Sequence, residues 1–204
     1  MYKKIFSMFV FLLLISMSFA FSISAQNANA NAGLGSGNGN VEAQVQNKTR
    51  VEDGEHINQA GEMVRVRTEA NNRIKLEAGG VSAECECNMT QEQVQNKTKL
   101  YAGLSNGKNA EIKVMPNTAS ETALARLRLK VCSEENNCSI QLKEVGSGEQ
   151  VKLAYELKTQ RKARVFGLIA AKMQVKAQVS AENGEVLRVK KPWWAFLASE
   201  PAEE

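Results

Sequence analysis

Apolar residues recur at every second position over most of this 204-residue chain, and that period constrains the fold before any motif is considered. Val64, Val66 and Thr68 alternate with Arg65 and Arg67; Ile74 and Leu76 alternate with Arg73, Lys75 and Glu77. Val81, Ala83, Cys85 and Cys87 alternate with Ser82, Glu84 and Glu86, and Leu100, Ala102 and Leu104, then Ile112 and Val114, continue the pattern. It is clearest near the C-terminus, in Ile140 and Leu142, Val151 to Leu157, Met173 to Val179, and Leu187 with Val189. Successive strand side chains point to opposite faces, so each run is a strand with one buried and one wet face. Asn71-Asn72, Gly79-Gly80, Asn106-Gly107 and Asn183-Gly184 supply turns, and Asn-Gly suits the two positive φ angles of a type I′ hairpin.

Pro116-Asn117-Thr118 breaks the alternation. Thr118 with Glu121 three residues on forms a capping box, and Ala123, Leu124, Leu127 and Val131 make one stripe, which predicts a helix over 118–130. Leu127, Leu129 and Val131 also alternate, so Arg126–Val131 competes as a strand; the cap and the Ala/Leu/Arg composition favour helix. The expected class is α+β, mostly antiparallel β: a β-meander sheet with one covering helix, preceded by a signal helix and a disordered linker.

The first 25 residues explain part of the 43% hydrophobic content. Met1-Tyr2-Lys3-Lys4 is a basic start, Ile5–Phe21 is apolar and uncharged, and Ser22, Ser24 and Ala25 are small. That is the layout of a secretory signal, cut after Ala25 or after Ala20; the alternative is an uncleaved anchor, for which the apolar run is short. The protein is therefore expected to be exported, to an extracellular or cell-surface location. Residues 26–40, QNANANAGLGSGNGN, cannot bury enough surface to offset their ordering entropy and read as a flexible linker. Residues 41–115 form a β-rich region, 116–191 a helix plus antiparallel meander, and 192–204 a Trp-rich tail with an acidic end. Val45-Gln46-Asn47-Lys48-Thr49 recurs as residues 94–98, but the flanks do not align and no repeat architecture follows.

In an exported chain, four cysteines suggest disulfides. Cys132 and Cys138 flank a polar loop and are the expected pair. Cys85 and Cys87 share the parity of Val81 and Ala83. On a flat strand their Cα atoms would be roughly 6.5–7 Å apart, too far for an easy bond, so pairing with Cys132 and Cys138 stays open. A thiolate metal site is the sharper alternative, but no CxxC or neighbouring histidine supports it. Asn47, Asn88, Asn96 and Asn137 each begin an N-x-S/T sequon and are candidate glycosylation positions.

The residues of catalysis are missing. The lone histidine, His56, stands in a polar segment without a motif, and there is no Walker loop, HExxH, Rossmann fingerprint or nucleophile elbow. No enzyme activity and no cofactor are expected. With 26 basic and 22 acidic residues and a net charge of +4, the chain is too nearly balanced for a nucleic-acid binder.

Two features could carry binding. Lys158, Arg161, Lys162 and Arg164, with Lys172, Lys176, Arg188, Lys190 and Lys191 on the meander's polar face, could attract anionic lipids or wall polymers; the plainer reading is a solvated face that discourages edge pairing. Trp193, Trp194 and Phe196 follow Lys190-Lys191 directly. They could sit at a membrane interface or docking surface, or fold back to cap the core. The expected function is a non-catalytic extracytoplasmic binding or interaction module, surface-tethered if the signal is retained. A structural envelope protein and a thiol metal-binding protein are the alternatives. Its partner is a protein or an anionic envelope surface, with membrane contact through the N-terminal segment or the tail.

The Thr118–Lys130 helix, Tyr155-Glu156-Leu157 and Ala181-Glu182-Asn183-Gly184-Glu185-Val186 resemble elements of PepSY-type domains, which place a helix before an antiparallel meander. The runs SETALARLRLKVCSEENNCSI and KPWWAFLA are similar to those of small exported proteins of unknown function predicted from archaeal genomes. Neither resemblance supplies catalytic residues; the first implies an extracytoplasmic binding or inhibitory role.

Overall fold

The computed structural model describes residues 48–132 and 137–199. The segments read as signal and linker, Asn47 and the acidic end lie outside the described residues. The alternating runs form the strands expected of them. A four-stranded sheet has the order β1 (Thr49–Arg50), β6 (Met89–Val94), β7 (Lys97–Gly103), β8 (Asn109–Ile112). A nine-stranded sheet runs β12 (Val186–Lys190), β11 (Ile169–Ser180), β10 (Lys152–Val165), β9 (Ser139–Val145), β5 (Val81–Cys85), β4 (Ile74–Ala78), β3 (Met63–Thr68), β2 (Gly54–Ile57), with β13 (Ala198–Ser199) added beside β10. All pairings are antiparallel except β5 with β9, where Glu84 faces Gln141 and Cys85 faces Leu142. That parallel join unites β2–β5 of region 41–115 with the strands of 116–191 in one sheet. The fold is α+β, mostly antiparallel, with the sheet open and a single α-helix among the described residues.

The helix α1 (Pro116–Leu127) packs on β4, β5, β10, β11 and β12. Ala119, Ser120 and Ala123 are buried along it; their short side chains let the helix approach the sheet closely. Its ends differ from those predicted. Pro116 occupies the first helical turn, where its fixed φ suits a helix start and its missing N–H costs nothing, so Met115 precedes the helix and Thr118 and Glu121 fall inside it. No side chain caps the start; Thr118 instead accepts the Thr122 hydroxyl through its carbonyl. At the other end Arg128 turns left-handed (φ 56) and the Leu129 N–H bonds the Leu124 carbonyl at 2.9 Å. This Schellman-type stop ends the helix at Leu127, which leaves Val131 exposed rather than on the stripe.

One core joins both sheets and the helix: Val64, Val66, Leu76, Leu100, Leu142 and Val175 are all but inaccessible. Tyr155 is the largest fully buried side chain, and its hydroxyl donates to the Val114 carbonyl at 2.8 Å. Asn106-Gly107 does not form a type I′ turn. Only Gly107 has positive φ (79°), the Gly107 N–H bonds the Leu104 carbonyl, and the Leu104 N–H bonds Lys108, the three-residue hairpin with glycine in the left-handed position. Both central residues have positive φ instead at Gln95 (52°) and Asn96 (61°), between β6 and β7. The second VQNKT copy is thus a tight hairpin turn.

Both cysteine pairs are closed: Cys132–Cys138 as expected, and Cys85–Cys87 against expectation. The flat-strand spacing does not apply, because β5 ends at Cys85 and the chain bends there, bringing the Cα atoms to 5.3 Å. The disulfides are compatible with an extracellular location. No helix among the described residues is long and apolar enough to cross a membrane.

Candidate functional site

The longest strands make a hairpin that outruns its neighbours. β10 and β11 pair continuously from Ala154↔Ser180 to Val165↔Ile169. β9 accompanies β10 only as far as Lys158, and β12 accompanies β11 only between Val179 and Lys176. The distal part projects beyond both by about seven residues, roughly 24 Å at the rise of an antiparallel strand.

Period two sorts the hairpin's residues. Leu157, Thr159, Arg161 and Ala163, with Met173, Val175 and Ala177, face the core and are buried. Lys158, Lys162 and Arg164, with Lys172 and Lys176, face the other way. The register places Lys158 opposite Lys176 and Lys176 opposite Lys190, a row of three across three strands, with Lys162 opposite Lys172 further out. Directly opposed side chains on a sheet stand about 5 Å apart at Cβ, where like charges destabilise the pairing. Among the described residues no carboxylate lies within 4 Å of Lys162, Arg164, Lys172, Lys176, Arg188 or Lys190.

Glu156 is the exception at the proximal end of this face. It is buried and takes Lys143 at 2.7 Å, Lys158 at 3.6 Å and the Gln178 amide at 2.8 Å. Burial raises its pKa, but hydrogen bonds from Lys143 and Gln178 and the charges of Lys143 and Lys158 outweigh that and hold the carboxyl at about 2. Lys158, also bonded to Gln141 at 3.2 Å, is therefore partly neutralised.

Arg161 does not belong to the basic face. It is only 7% exposed, and its Nη1 donates to the Leu127 carbonyl at 3.2 Å at the C-terminal end of α1, where a cation complements the helix dipole. Sequence proximity grouped it with Lys162 and Arg164; strand parity puts it on the opposite side.

The tail folds back on the core in part and stays exposed in part. After Pro192 the residues Trp193–Leu197 form a 3-10 turn, and Ala198 and Ser199 pair with Val165 and Arg164 on the far edge of β10. Trp194, Ala195 and Ala198 pack against the core, whereas Trp193 and Phe196 are 80% and 77% exposed. Trp194 and Pro192 also wall a groove of about 380 Å³ with Lys172, Gln174, Lys176, Lys190 and Lys191. An indole beside four lysines suits an anionic, partly apolar ligand.

The hairpin tip was not singled out in the sequence. Phe166, Leu168 and Ile169 are 68%, 86% and 65% exposed, and the Phe166 N–H bonds the Leu197 carbonyl at 2.9 Å, fastening tip to tail. The available signal was Val165-Phe166-Gly167-Leu168-Ile169-Ala170, an apolar run in which alternation fails.

Elsewhere, reactive groups are engaged structurally. His56 Nε2 donates to the Glu52 carbonyl at 2.9 Å, and the Ser105 hydroxyl donates to Glu144 at 2.6 Å. Burial, and then the Glu92 carboxylate that accepts its proton at 2.9 Å, push Tyr101 up to about 12. Among the described residues no three of His, Cys, Asp or Glu gather to hold a metal. Asn88, Asn96 and Asn137 are exposed, with the Asn137 amide donating to Gln160. No family model, curated protein or solved structure matches the chain.

Proposed function

We propose that the protein is an exported, non-catalytic binding module that engages an anionic partner in the extracytoplasmic space through the lysine-bearing face of the β10–β11 hairpin. The observation that carries this reading is the pair of opposed lysine rows, Lys158–Lys176–Lys190 and Lys162–Lys172. Such rows work against sheet stability, yet the face carries them unneutralised beyond Glu156. An anion laid along the face would convert that repulsion into affinity. The signal-like N-terminus supports export and surface tethering, and the PepSY-type resemblance agrees with an extracytoplasmic binding role. The thiol metal reading loses its ligands while both disulfides are formed.

Retention on an immobilised polyanion tests the proposal. The wild type is expected to bind at low salt and elute as salt rises, while K172E/K176E/K190E flows through with an unchanged circular dichroism spectrum. A wild type that flows through at low salt overturns it.

A further inference from the structure

We infer that the anionic partner is a lipid bilayer, and that the hairpin tip enters its interfacial layer. This rests on the binding-module reading and names the partner. Five large apolar side chains are each at least 65% exposed: Phe166, Leu168 and Ile169 at the hairpin tip, and Trp193 and Phe196 on the tail bonded to it. Isolated exposed apolar residues are ordinary, but a contiguous set marks a contact surface.

The conformation of Phe166 strengthens the point. It has φ 53, followed by Gly167 at φ 73. Gly, Asn and Asp accept that region readily, whereas a bulky aromatic there is an outlier. The turn therefore holds an aromatic ring in solvent at the expense of its backbone, and a residue chosen for folding alone would be different.

Charge complementarity selects the occupant. Lys162, Arg164, Lys172 and Lys190 stand behind the apolar tip without a carboxylate partner among the described residues. Apolar residues and Trp at the extremity, with a collar of cations behind, match the layering of an anionic bilayer: acyl boundary first, phosphate headgroups next. A second copy of the chain would bring like-charged collars together, and a soluble polyanion would leave the apolar tip in water.

Of the chain's two tryptophans, Trp193 is 80% exposed and Trp194 packs against the core, so a blue shift reports the transfer of Trp193 from water. The mature chain expected after removal of the first 25 residues is mixed with phosphatidylcholine vesicles and with vesicles in which about a third of the lipid is phosphatidylglycerol. Co-sedimentation and emission are read together. The wild type should bind the anionic vesicles with a blue shift and bind the neutral vesicles weakly. L168S/I169S, altered only at the exposed tip and unchanged in charge, should lose the blue shift and about tenfold or more in vesicle affinity while still eluting from a polyanion column like the wild type. Vesicle binding without a blue shift, or equal for the variant, means adsorption by charge alone and overturns tip insertion while leaving the binding module standing. Polyanion binding with no vesicle binding does the same. A wild-type dimer that L168S/I169S converts to monomer in analytical ultracentrifugation assigns the tip to a second copy and also overturns it. Binding to neither vesicle nor polyanion removes both readings.

Discussion

Replacing Phe166 by Asn should make the protein more stable and less able to bind anionic membranes. Two magnitudes decide this. Phe166 has φ 53 and is 68% exposed. Holding a bulky residue in the left-handed region costs on the order of 1 kcal/mol, and asparagine tolerates that region better. F166N should therefore gain up to about 1 kcal/mol, or about 1–4 °C in Tm for a chain of this size. An aromatic side chain presents about 150–250 Å² for burial, so the exposed part of Phe166 offers roughly 100–150 Å². At about 25 cal/mol/Å², full transfer from water is worth about 3 kcal/mol and half-immersion about 1.5 kcal/mol, near tenfold in affinity. The assays are a thermal melt followed by circular dichroism and a titration with anionic vesicles. A Tm that falls by several degrees would show that the ring packs in the folded protein. An unchanged vesicle affinity would refute its contact with lipid.

The remaining predictions concern the scaffold. Tyr155→Phe removes the bond to the Val114 carbonyl and leaves that half-buried acceptor with one partner fewer; a loss of about 1 kcal/mol is expected in urea unfolding. The buried hydroxyl, its pKa raised by desolvation, stays protonated at neutral pH, so the effect should not vary between mildly acidic and neutral buffer. Glu156 has a folded pKa lowered to about 2 against an ordinary 4.5, so its stabilising contribution is fully present above about 4.5 and is lost as pH falls toward 2. Glu156→Gln should flatten acid unfolding in that window, as followed by denaturant midpoints. Arg161→Ala should destabilise by about 2 kcal/mol while polyanion retention stays unchanged; a weakened retention in the folded variant would return Arg161 to the binding face.

Period two carried most of the architecture. Val64, Val66, Leu76, Val175 and Val179 fall on buried positions because burying one face of a strand forces alternation whatever the partner strand is. β6 escaped that logic. Its sequence is MTQEQV: Gln91 is buried on the face it shares with Met89, opposite Leu100, and Glu92 is buried on the other face, so neither face shows an alternating apolar run. Glu92 can be buried because the Tyr101 hydroxyl donates to it, a cross-strand contact that local sequence does not display. The helix start slipped because Pro116 competes with the Thr118–Glu121 box, and a proline in the first turn outweighs a side-chain cap. At the candidate site the lysines and tryptophans were legible as residue types. Their grouping was not, since it depends on which strand edges β9 and β12 leave free and on β13 returning to β10. Arg161 was separable from its neighbours by parity alone.

Binding by the hairpin face is above all electrostatic. Its clearest test is the equilibrium binding constant for a soluble polyanion, followed by isothermal titration as ionic strength rises and the Debye length shrinks from about 30 Å at 0.01 M to about 3 Å at 1 M. Opposed lysine rows acting as the binding surface predict a steep, continuous fall in affinity with added salt, and a much shallower one for K172E/K176E/K190E. An affinity indifferent to salt, or an identical salt dependence in wild type and variant, would contradict it.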